Sequence, residues 1–129
     1  MARNTASEGM GILTSGCSAL ATVYATTPGA NTNIYAAVKV SESASAIRIT
    51  VSLATSSVFD LRITDGSTAY TLHLNEGVAL TASCLYTFVV AARRYSSQTG
   101  TTELTYSNRV ATDGVVQLLF VEEVTGPVV

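Results

Sequence analysis

Tryptophan is absent from this chain of 129 residues; lysine and histidine occur once each, and proline and cysteine twice. Charged residues make up only 12% of it, about half the usual share. Each shortage excludes something. The basic residues Arg3, Lys39, Arg48, Arg62, Arg93, Arg94 and Arg109 are scattered, Arg93-Arg94 apart, so the clustered basic face that nucleic-acid binding rests on is missing. The two cysteines, Cys17 and Cys84, form no metal-ligand spacing and are expected to be free thiols. Tryptophan, a common platform for sugar stacking, is not available. The single histidine, His73, has no recognisable nucleophile and orienting acid to complete a catalytic set. Carboxylates are no more specific: Asp60 and Asp65 flank a hairpin, and Glu122-Glu123 lie near the C-terminus. No Gly-x-Ser-x-Gly elbow, phosphate-binding glycine loop or calcium loop occurs. The expectation is a protein without catalytic residues, cofactor or metal.

The start, Met1 to Gly9, has no apolar segment of the kind a secretory signal requires, which points to synthesis and folding in a cytoplasm. The apolar charge-free run Gly77 to Ala92 is shorter than a spanning helix needs and contains Thr81, Ser83 and Thr87. Neither a membrane partner nor a nucleic-acid partner is expected.

What the chain does contain is apolar. Residues of this class make up 47% of it, which excludes disorder. A domain of this size buries about two-thirds of the surface its unfolded chain exposes. A surface so poor in charge is expected to be partly covered by another copy or another protein. Residues 1–18 are rich in Gly, Ser, Thr and Ala and read as an extended N-terminal arm anchored only by Met10, Ile12 and Leu13. Residues 19–129 read as one β domain.

Val, Ile, Thr and Tyr dominate that domain, with turn residues between the runs. Strands are expected over Ala19–Thr26 and Thr32–Val40, separated by Thr27-Pro28-Gly29-Ala30-Asn31. The clearest alternation is Ile47, Ile49, Val51 and Leu53 against Arg48, Thr50 and Ser52; a period of two puts the apolar set inward. Phe59, Leu61 and Ile63 lead through Asp65-Gly66, suited to a type I′ turn, into Tyr70, Leu72 and Leu74, leaving His73 outward. After a turn at Asn75-Glu76-Gly77, the run Cys84–Ala92 is apolar on both faces. It suits a central strand or one whose outer side meets a partner. A polar loop over 93–101 is followed by strands over about Thr102–Asn108 and Val115–Val124, the last with Val116, Leu118 and Phe120 opposed to Gln117 and Glu123. Seven or eight short strands of this spacing imply an all-β fold, an antiparallel β-sandwich or barrel-like arrangement of jelly-roll or immunoglobulin-like type. The candidate interface residues are Met10, Ile12 and Leu13 of the arm, Tyr86 and Phe88 of the apolar run, and Arg93, Arg94 and Tyr95 of the polar loop.

The segment Leu74-Asn75-Glu76-Gly77-Val78-Ala79-Leu80-Thr81-Ala82, followed by Leu85-Tyr86-Thr87-Phe88, is similar to an Asn-x-Gly-x-Ala-Leu, then Leu-Tyr-x-Phe, pattern of tailed-bacteriophage head and head-decoration proteins. The small-residue arm, the Thr/Ser/Val/Ala strands and the scarcity of lysine resemble the same group. The resemblance implies a β-sandwich cement (decoration) protein of the virion, a homotrimer that sits on the capsid lattice, with the major capsid protein or another virion protein as partner and no catalytic residues to carry over. Alternatives are a self-assembling filament or shell subunit whose arm pairs with a neighbour's sheet edge, and a receptor- or carbohydrate-binding virion module built around Tyr95.

Overall fold

The structure, a computed structural model, describes residues 16–40, 44–64, 69–91 and 104–125. They form an antiparallel β-sandwich. In chain order the strands are β1 (Gly16–Thr26), β2 (Val38–Lys39), β3 (Ala44–Leu53), β4 (Phe59–Thr64), β5 (Ala69–His73), β6 (Leu85–Ala91), β7 (Thr105–Val110) and β8 (Val116–Thr125). One sheet has the order β1-β8-β3-β6 and the other β2-β7-β4-β5. The chain crosses between sheets repeatedly, so strands adjacent in sequence pair directly only at the β4–β5 hairpin.

Alternation builds the core. Ile47, Ile49, Val51 and Leu53 of β3 are buried, as expected, and face Phe59, Leu61 and Ile63 of β4 and Tyr106 and Val110 of β7. Leu74, Leu80 and Leu104 close the ends. Each such side chain contributes about 1.5–3 kcal/mol on burial.

In β8 the alternation breaks. The register with β3 shifts between Ser52 and Leu53, which pair with Leu118 and Val116, so Gln117 is the extra residue of a β-bulge. The bulge reverses the face beyond it. Leu119 and Val121 join Val116 in the core, while Leu118 and Phe120, which the sequence pattern points inward, lie on the outer face and are only partly covered. Glu123, expected outward, pairs with Ile47 and is buried.

Further features differ from the sequence reading. Residues 16–18, assigned there to the arm, open β1. Of the run Thr32–Val40 only Val38 and Lys39 form a strand; Asn31 takes a left-handed conformation, and the segment touches β7 through the Asn31, Ile34 and Val40 amides, which donate to the carbonyls of Val110, Asn108 and Leu104. The strand β6 lies at a sheet edge rather than in the centre. The Asp65-Gly66 turn and the rest of the arm, residues 1–15, lie outside the described residues; the hairpin they were read with pairs Thr64 with Ala69.

The Asn75-Glu76-Gly77 turn is formed by three successive residues at positive φ (58°, 56° and 79°). Gly77 adopts this freely and Asn75 readily, but Glu76 is strained there. Val78 donates its amide to the Asn75 carbonyl at 3.0 Å, and the Asn75 side-chain amide donates to the Val78 carbonyl at 3.2 Å. The turn thus joins Leu74 to Leu80, both buried. Gly114, before β8, has a different reason: a Cβ there would come within 2.6 Å of the Thr55 side chain.

Candidate functional site

The two outer faces of the sandwich are chemically unlike. Residues paired directly across strands share a face, so the registers give each face row by row. On the β1-β8-β3-β6 sheet one row is Tyr24, Leu118, Ser52 and Leu85, and the next is Thr22, Phe120, Thr50 and Thr87. The third brings Ala19, Glu122, Arg48 and Val89 together. Tyr24 is 70% exposed, Leu85 65% and Val89 56%. They are three of the five large apolar side chains that are exposed among the described residues.

The charges in these rows cancel. Arg48 Nε donates to Glu122 Oε1 at 2.9 Å, and its Nη2 lies 3.3 Å from Cys17 Sγ. The guanidinium therefore reaches from β3 across β8 to β1. The hydrogen bond to Glu122 and that carboxylate's charge push Arg48 further above its already high range. The remaining positions are Thr, Ser or apolar. Ser52 and Gln117 bond to each other at 2.8 Å.

The outer face of the β2-β7-β4-β5 sheet is polar and basic. Its rows are Lys39, Thr105, Thr64 and Ala69; Ser107, Arg62 and Thr71; and Arg109, Asp60 and His73. Three permanent cations thus accompany one carboxylate. Asp60 is buried, and His73 Nδ1 donates to its Oδ1 at 2.5 Å while the imidazole stays 60% exposed. Arg109 donates to Asn33 Oδ1 at 2.8 Å.

Behind this pair runs a buried polar chain. Asn108, wholly buried, donates to the Asp60 carbonyl at 3.0 Å and accepts the Tyr35 hydroxyl at 2.5 Å. Burial pushes the Tyr35 phenol well above its usual range. The chain ties the 31–40 segment, β7 and β4 into one unit and satisfies polar groups that would otherwise be costly. A carboxylate-held histidine is half of a nucleophile-activating set. The side chains beside this one are Arg109, Arg62 and Thr71, with Ser107 buried, and Thr71 Oγ1 already accepts from Arg62.

The sequence-derived candidates divide accordingly. Tyr86 and Phe88 are half-buried and packed against the core, their rings stacked with centroids 6.0 Å apart. Tyr86 also accepts the Thr81 amide at 2.9 Å. The outward residues of β6 are Leu85, Thr87, Val89 and Ala91 instead. Met10, Ile12, Leu13, Arg93, Arg94 and Tyr95 lie outside the described residues. Cys17 and Cys84 are free and exposed. His73 points outward as expected, but sequence reasoning missed its pairing with Asp60, which only the hairpin register reveals. It also missed that Tyr24, Leu118 and Phe120 share the outer face of Leu85 and Val89, because strand order is not written in local sequence. Among the described residues no group of three or more His, Cys, Asp or Glu could hold a metal ion, and no helix is long and apolar enough to cross a membrane.

No protein family, curated protein or solved structure matches the chain.

Proposed function

We propose that this protein is a non-enzymatic structural subunit of a virion, of the head-decoration type its 74–88 segment resembles, and that it works with the outer face of the β1-β8-β3-β6 sheet laid against a neighbouring protein of the shell. The observation that carries this reading is that face itself: Tyr24, Leu85 and Val89 exposed around Leu118 and Phe120, with one mutually neutralised ion pair.

The size of the face is appropriate. Four strands about 4.8 Å apart and a ten-residue central strand rising about 3.3 Å per residue span roughly 600 Å². Specific interfaces bury about 800 Å² per partner. Apolar side chains on so uncharged a face gain by leaving water, and no isolated charge has to be desolvated. The basic second face is suited to remain in solvent.

The test is co-sedimentation of the purified chain with empty heads of the virus that encodes it. Saturable binding is expected, and Tyr24→Asp or Leu118→Asp should weaken it at least tenfold while Arg62→Ala leaves it unchanged. Chain that stays in the supernatant, or binding that Arg62→Ala abolishes and Tyr24→Asp does not, would refute the proposal.

A further inference from the structure

Among the described residues the two sheets end in four edge strands: β1 and β6 on one, β2 and β5 on the other. Open edges present unpaired main-chain donors and acceptors, and proteins blunt them with short strands, charge, proline or bulges. Three of these edges are blunted. β2 has two residues and carries Lys39, and β5 has five and ends at His73. β1 is longer, but its pairing with β8 is broken between Ala19 and Ala21, and Ala25 lies at φ 49°.

β6 has none of these features. Leu85–Ala91 pairs with Ser52–Ala46 without a break in register and contains no charged residue, no proline and no glycine. Among the described residues no strand pairs with it on the side away from β3. Its outward side chains include Leu85 and Val89, both largely exposed.

We propose that β6 pairs antiparallel with β6 of a second copy, about a two-fold axis at Phe88, to make one continuous eight-stranded sheet. The inference rests on reading the chain as an assembly subunit and names the partner of that edge. A strand can pair with itself in this way only if its own sequence is self-compatible. Here the two-fold sets Thr87 beside the second copy's Val89, Leu85 beside its Ala91 and Phe88 beside its Phe88, so no like charges meet. Among the described residues no other edge is as open, which favours the isologous pairing over a head-to-tail one. A seven-residue edge at about 3.4 Å per residue is roughly 24 Å long, and the junction buries on the order of 500 Å² per copy. That lies near the lower bound for a specific interface, so a weak, concentration-dependent dimer is expected. Joined this way, two copies present a doubled face on which the only charges among the described residues are the paired Arg48 and Glu122. The two-fold differs from the three-fold symmetry that the phage resemblance implies, and mass decides between them.

The experiment is sedimentation velocity on the full chain across a concentration series, with two paired variants at exposed β6 positions. A concentration-dependent dimer is expected for the unaltered chain. Thr87→Lys with Val89→Lys, and separately Thr87→Glu with Val89→Glu, should each dissociate at least tenfold more readily. An equimolar mixture of the two should recover the dimer, since opposite charges then face each other. Thr22→Lys on β1 should change nothing. Unaltered far-UV circular dichroism checks that each variant folds. A monomer or trimer of the unaltered chain, a dimer indifferent to the β6 charges, failure of the mixture to recover it, or loss of it on Thr22→Lys would each overturn the proposal. Shell binding is read separately: monomers that bind empty heads defeat only the edge pairing, and dimers that ignore heads defeat only the decoration reading.

Discussion

The two sheets share one core and differ in nearly everything outside it. The β1-β8-β3-β6 sheet has long strands, an edge with no charge and an outer face on which a single ion pair is the exception. The β2-β7-β4-β5 sheet has short edge strands, a basic outer face and a buried chain from Tyr35 through Asn108 to the main chain of Asp60. The second sheet therefore manages its polar groups and its edges within the molecule. The first leaves apolar side chains and one regular edge to be managed by something else. Among the described residues, Lys39, Arg62, Arg109 and Asp60 stand on the second face, and the first carries only the paired Arg48 and Glu122.

The comparison can be broken or sharpened by substitution. The largest effect is expected for Asn108→Ala, which leaves the Tyr35 hydroxyl and the Asp60 carbonyl without their buried partner and opens a cavity. A loss of about 3 kcal/mol in urea unfolding is expected, and a loss under about 1 kcal/mol would show that the polar chain does not hold the second sheet together. Gly114→Ala forces a methyl against Thr55 and should cost about 1–3 kcal/mol by the same measurement. Glu76→Gly relieves a strained left-handed residue and should raise stability by about 1 kcal/mol.

Tyr35 gives the second sheet a pH signature. Its phenol titrates higher in the folded chain than in the unfolded one, so its contribution is fully present below the unfolded value, about 10, and is lost as pH rises toward the folded value. Thermal melts should show Tm falling above about pH 10, and Tyr35→Phe should flatten part of that fall. The smallest effect belongs to the first sheet. Glu122→Gln removes a pair whose Arg48 is well exposed, so less than about 1 kcal/mol is expected, and a larger loss would mean that the pair is a structural clamp rather than the neutraliser of an otherwise bare face.

Much of this architecture was legible in local pattern. Ile47–Leu53 and Phe59–Ile63 alternate without interruption, and their faces follow. The pattern failed where one residue changes the phase. In Val116-Gln117-Leu118-Leu119-Phe120-Val121 apolar residues stand at both parities, and only the bulge at Gln117 decides which of them enter the core. It also failed where function depends on strand order. Tyr24 and Leu85 are far apart in sequence and occupy the same row at opposite edges of one sheet. Likewise, Asp60 meets His73 because the hairpin register sets them opposite each other; the reversal expected at Asp65-Gly66 does not by itself fix that register. Tyr86 and Phe88 were identified as apolar and aromatic, but a period of two assigns them to the core and gives the outer surface to Leu85 and Val89.

The account turns on which face is covered. The most direct measurement is hydroxyl-radical footprinting of the isolated chain and of the native particle, read at Tyr24 and His73. Tyr24 lies on β1, far from the β6 junction, so pairing of two copies alone leaves it reactive. Strong protection of Tyr24 in the particle with His73 still labelled is the predicted result; equal labelling of Tyr24 in both states, or protection confined to His73, would contradict it.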